Sequence, residues 1–171
     1  MLSGLFESPW IRLPLVLIAV LTVQTALVPE LRPFGVAPDL MLLFAVASGL
    51  VGGPQVGALV GFVCGVLFDL MLNTPFGLSA LVYGLAAYSA GYVQLQVAKA
   101  GWWIPMAAVG AASALAMVGF ALIGSLFGVE RLVNGHLLWI AFVVGGINAL
   151  LAPVAIRIER WALEGRDRAR R

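Results

Sequence analysis

Between Leu13 and Ile158 one long apolar run follows another, broken only by short clusters of glycine, proline and isolated charges. A helix that crosses a bilayer needs about 20 mainly apolar residues. Segments of that kind, joined by short loops, consume nearly the whole chain, so no separate soluble domain fits in what remains. The composition agrees: 62% of the 171 residues are hydrophobic and 11% charged, with a mean hydropathy of +1.04. Soluble domains carry roughly a quarter charged residues. The expected fold is therefore all-α: a polytopic membrane protein, one integral domain over residues 1–171, built as a bundle of six transmembrane helices.

The punctuation places the helices. Span one covers Leu13 to Leu27, has no clean small-x-small cleavage site after it, and reads as an uncleaved first span. Pro29 stops it, and Glu30, Arg32 and Pro33 follow. Span two opens at Pro38-Asp39, proline suiting a first turn whose N–H has no partner and the acid favoured by the helix dipole. It ends near Leu50 before the Gly52-Gly53-Pro54 turn. Span three runs to about Leu72, and Asn73-Thr74-Pro75-Phe76-Gly77 forms the next turn. Span four covers Leu78 to Val97, span five Trp102 to Phe127, and span six His136 to Ile158. Span two is short and could instead form one arm of a tight hairpin with span three, which would reduce the spans to five; six is the expected number.

Charge sets the orientation. Six spans put both ends of the chain on one side, together with Arg12, Lys99 and the arginines of the tail, Arg157, Arg160, Arg166, Arg168, Arg170 and Arg171. The other side receives only Arg32 and Arg131. Basic residues favour the cytoplasmic side, so both termini are expected there. Trp10, Trp102, Trp103 and Trp161 then fall at inner ends and Trp139 at an outer end, as an aromatic belt requires. In the short basic tail, Arg157, Arg160, Trp161 and Arg166 are candidates for contact with anionic headgroups. Nucleic acid is not an expected partner.

Few residues invite chemistry. Cys64 is the sole cysteine, which excludes an internal disulfide and a cysteine cluster. His136 is the sole histidine and sits at a helix start. No catalytic residue, metal or cofactor is expected, and an intramembrane hydrolase would lack a serine–histidine pair. The clearest pattern is Gly53, Gly57, Gly61, Gly65 and Asp69, each four residues from the next. Small residues at that spacing let another helix approach closely, so Gly57, Gly61 and Gly65 are expected to pack helix against helix. Asn148, beside Gly145 and Gly146, is expected to hydrogen-bond across helices. Asp69 continues the stripe with a carboxylate, which is costly in hydrocarbon unless it faces the interior or a partner. Asp39 reads as a helix-start residue at a similar depth. If Asp69 is architectural, replacing it with asparagine is expected to be mild.

These residues carry a resemblance. Pro38-Asp39-Leu40, the run Gly61 to Leu70 ending on Phe68-Asp69-Leu70, the turn and helix start Thr74 to Leu81, and Ala87-Tyr88 resemble the rod shape-determining protein MreD family. The likeness is strong over residues 38–92 and compositional elsewhere. One departure is Gly52-Gly53-Pro54, where many relatives carry a basic residue. The resemblance implies a non-enzymatic scaffold of the bacterial cell-elongation complex in the cytoplasmic (inner) membrane. It implies binding to the bitopic protein MreC and, indirectly, a link to MreB, RodA and a class B penicillin-binding protein that make lateral peptidoglycan. It points to Asp39, Asp69, Asn73, Pro75 and Gly77 as partner- or pocket-related residues. The family also resembles the S-components of energy-coupling-factor transporters in fold, so the alternative function is a small-molecule-binding membrane subunit of that type.

Overall fold

The computed structural model describes residues 9–26, 28, 30, 33–71, 75–96, 101, 103–128 and 135–163. Among them the chain is all-helical. Six α-helices follow in order: α1 (Pro9–Ala26), α2 (Leu40–Gly52), α3 (Pro54–Asp69), α4 (Leu78–Gln96), α5 (Ile104–Leu126) and α6 (Leu137–Leu163), with a single 3-10 turn at Pro33–Gly35.

Local chemistry explains the tightest connection. Asp39 is extended (φ −111°, ψ 91°), and its carboxylate accepts from the Leu42 N–H at 2.9 Å, which caps α2. Gly53 ends that helix at φ +84°, a backbone angle that glycine alone adopts without strain, and its N–H closes on Gly49 O at 2.9 Å. Pro54 then opens α3 at once.

α2 is the axis of the bundle. Every residue from Met41 to Gly49 is buried, and α2 packs against each of the other five helices. A helix that is apolar all round belongs in an interior. Its 13 residues reach only about 20 Å, less than the roughly 30 Å of a hydrocarbon core. Enclosed by its neighbours, it has no need to match the bilayer. By length and composition, Ile104–Leu126 and Leu137–Leu163 are apolar and long enough to cross a membrane, while Ile11–Ala26, Leu40–Gly52 and Pro54–Asp69 are shorter apolar helices.

The outside of the bundle is apolar and much of its polarity is inside. Leu15, Ile18, Phe62, Leu115, Phe142 and Leu150 are exposed, whereas Gln24, Asp39, Asp69, Asn148 and Glu159 are buried. A water-soluble protein seldom shows so broad an exposed apolar surface. Lipid is the solvent that suits it.

The glycine stripe faces α4 and α2. A Cβ on Gly61 would stand 2.6 Å from Tyr83 O, one on Gly65 2.3 Å from Ala80 Cα, and one on Gly57 2.6 Å from Gly49 Cα. The backbones of α3 and α4 are thus in direct contact. α5 and α6 cross in a similar way, with a Cβ on Gly145 reaching 2.8 Å from Gly110 O.

Several boundaries differ from the sequence expectation. α3 ends on Asp69 rather than near Leu72, and α5 begins at Ile104, next to Pro105. α1 begins by Pro9 and carries Pro14 inside it, where the ring removes the N–H that would bond to the residue-10 carbonyl. α6 continues to Leu163, past the expected end at Ile158. Its last turns keep a helical face, with Ala155, Glu159 and Ala162 buried while Arg157 and Arg160 point outward. Charge suggested a tail there, but packing extends the helix.

Candidate functional site

Two buried carboxylates organise one end of the bundle, and each is consumed in joining helices. Asp39 forms the hub. Its carboxylate caps α2 and also accepts the hydroxyl of Tyr83 from α4. Its backbone oxygen accepts from Asn148 Nδ2 on α6 at 3.2 Å, and the same amide nitrogen donates to Ser113 Oγ on α5 at 3.0 Å. From α1, Gln24 clasps the residues on either side of Asp39: Nε2 donates to Pro38 O at 3.1 Å, and Oε1 accepts from Leu40 N at 2.7 Å. Five helices therefore meet at the start of α2. In an apolar surrounding such bonds have no water to compete with.

Asp69 is the second anchor and binds α3 to α4. Oδ2 accepts from Gly77 N at 2.8 Å and Ala80 N at 3.3 Å, while Oδ1 accepts from Ser79 N at 3.1 Å. The first N–H groups of a helix have no partner within it. A side chain at the helix start normally supplies one, but Gly77 has none and holds φ +96° instead. The carboxylate at the end of α3 takes that duty, and its charge suits the positive end of the α4 dipole. Pro75 shapes the approach, since Leu78 N donates to Pro75 O at 3.2 Å. Asn73 lies outside the described residues.

The two acids bond to different donors. Both act on α4: Asp69 at its N-terminus and Asp39 through Tyr83. The Phe68 ring, beside Asp69 in sequence, stacks on Tyr83 with centroids 6.0 Å apart. Among the described residues, the hydrogen bonds of both carboxylates come from donors and so fix how the helices meet. Among the described residues no group of acids, histidine and cysteine is placed to hold a metal.

Sequence reasoning missed three members of this network: Gln24, Tyr83 and Ser113. Each lies in an apolar run without a motif. The signal that such residues carry is polarity deep in an apolar run, the same that marks Asp69 and Asn148.

At the opposite end, Arg12 Nη1 donates to Trp161 O at 3.2 Å, and its guanidinium carbon lies 4.8 Å from the centre of the indole. This clasp ties the start of α1 to the end of α6. Trp161, Arg157 and Arg160 are exposed on the final turns of α6, whereas Arg166 is outside the described residues. A cleft of about 340 Å³ opens sideways between α4 and α5, lined by residues such as Val82, Ala86, Ala112 and Ile123. Neither Asp39 nor Asp69 borders it.

With that geometry in view, comparison with known proteins gives one match. The family model described as rod shape-determining protein MreD covers residues 6–155 of the chain. No curated protein and no solved structure matches it.

Proposed function

The chain belongs to the MreD family of rod shape-determining proteins, and from that premise we propose that it works as a non-enzymatic membrane scaffold of the cell-elongation complex. The observation that carries this reading is the use made of its buried polar groups. Asp39, Asp69, Asn148 and Gln24 each join one helix to another. Such a structure presents a fixed apolar surface to other membrane proteins, which is what a scaffold needs. The partner in this reading is an MreC-like bitopic protein, which links the bundle to MreB, RodA and a class B penicillin-binding protein. Depleting the chain from a rod-shaped host should round the cells. Supplying it again should restore rods, whereas the same chain with Gly65→Leu should not. Rods that persist through depletion would remove the proposed role.

The reading of a transporter subunit gains less support. Solute pockets usually set a few polar groups among apolar walls, and Ser89 is the one polar side chain on the α4–α5 cleft.

The same proposal places all six helices across the cytoplasmic membrane, α2 shielded within them, with both termini, the Gly53 turn and Lys99 inside. Arg32 and Arg131 are then outside. Single cysteines introduced into a chain with Cys64→Ser should react with an impermeant thiol reagent in intact cells at positions 32 and 131 only. Labelling of position 168 in intact cells would reverse the topology.

A further inference from the structure

The outward face of α6 changes character within one turn. Phe142, Gly146, Leu150 and Val154 are exposed, at the four-residue steps that keep side chains in line along a helix. From Phe142 to Val154 this apolar strip rises about 18 Å, close to the roughly 15 Å of one hydrocarbon leaflet. Arg157, Arg160 and Trp161 continue the same face, and all three are exposed. Glu159, the acid that stands between the two arginines in sequence, turns inward and is buried. The charges alternate along the chain, but on the outward side of this helix end they are cationic.

Arg157 and Arg160 are three residues apart, hence neighbours on the helix surface, where like charges repel. An anion set between them relieves that repulsion, and guanidinium groups take phosphate oxygens two at a time. The Trp161 indole is amphipathic and suits the headgroup level. The Arg12 guanidinium, 4.8 Å from the centre of that ring, adds a third positive charge at this end of the bundle. We propose that the end of α6 binds an anionic phospholipid, its headgroup phosphate held by Arg157 and Arg160 beside Trp161 and an acyl chain laid along Leu150 and Val154. Charge complementarity selects an anionic lipid over a zwitterionic one. The apolar strip that leads into the arginines selects a lipid over a soluble phosphate. The inference rests on the reading of α6 as a membrane span and needs no protein partner. Bound there, the lipid lies beside the Arg12–Trp161 clasp and steadies the joint between α1 and α6.

Native mass spectrometry of the whole chain in detergent, titrated with dioleoyl phosphatidylglycerol or dioleoyl phosphatidylcholine, tests this. The wild type should retain phosphatidylglycerol in preference, and that lipid should raise its unfolding temperature more. Arg157→Gln together with Arg160→Gln should weaken phosphatidylglycerol binding roughly thirtyfold. Arg157→Lys with Arg160→Lys keeps the charge and should keep the preference. Arg170→Gln with Arg171→Gln removes as much charge from the chain end and should have a much smaller effect. Equal retention of the two lipids by the wild type, an equal loss in the two glutamine pairs, or displacement of phosphatidylglycerol by inorganic phosphate would overturn the proposal. If a variant does not fold, the wild-type preference and the phosphate competition still decide. The cysteine labelling tests the span itself, so failure of the lipid site and failure of the span are told apart.

Discussion

Gly65→Leu drives α3 away from α4 and lowers the unfolding temperature of the bundle more than any lipid-facing substitution. A Cβ at Gly65 would lie 2.3 Å from Ala80 Cα and 2.4 Å from Ala80 N. These are main-chain atoms and cannot rotate aside. Overpacking usually costs about 1–3 kcal/mol, and a backbone obstruction puts leucine at or above the upper end of that range. Even Gly65→Ala should destabilise, although alanine ordinarily strengthens a helix by up to about 1 kcal/mol. Gly146 is the matching control, because it is exposed and a Cβ there meets nothing within 4 Å. Gly146→Ala should leave stability unchanged or slightly raised. Thermal unfolding in detergent checks the set, and an unaltered midpoint for Gly65→Leu would mean that α3 and α4 are not in backbone contact.

Asp69 gives the second large effect, and here the structure reverses an expectation. Asparagine looked mild as long as Asp69 needed only to hydrogen-bond. Its partners are three backbone donors, divided between both oxygens. An asparagine can offer one oxygen, and its NH2 group would face N–H groups that need an acceptor. Hydrogen bonds to a charged group contribute about 1.5–3 kcal/mol, so Asp69→Asn should cost on that order. Asp69→Leu should cost more, because the N–H groups of Gly77, Ser79 and Ala80 then lose their acceptor in an apolar setting. Amide exchange at Gly77, Ser79 and Ala80 should accelerate in both variants. Wild-type exchange and stability in Asp69→Asn would show that the carboxylate does not cap α4.

Much of this fold is legible from residues close together in the chain. Gly53 and Pro54 set the α2–α3 turn, Asp39 caps the helix that follows it, and the four-residue spacing of Gly57, Gly61 and Gly65 marks the face that meets α4. These features are local, so sequence carries them. What sequence does not carry depends on distant neighbours. Tyr83 becomes the link between α4 and α2 only because Asp39 comes to face it from 44 positions away. The end of α6 resembles a charged tail, since a run of arginines does not reveal that Glu159 turns inward. The shortness of α2 leaves five or six spans open in the sequence, and its burial on every side depends on neighbours that the sequence does not place.

If this bundle is a scaffold for a bitopic partner, capture from native membranes recovers that partner. The tagged chain, purified in mild detergent and examined by mass spectrometry, should bring down an MreC-like single-span protein. Asp69→Leu and Gly65→Leu should lose it, while Gly146→Ala should retain it. Recovery of an energising transporter module in its place, or equal partner recovery by all the variants, would show that the bundle is not such a scaffold.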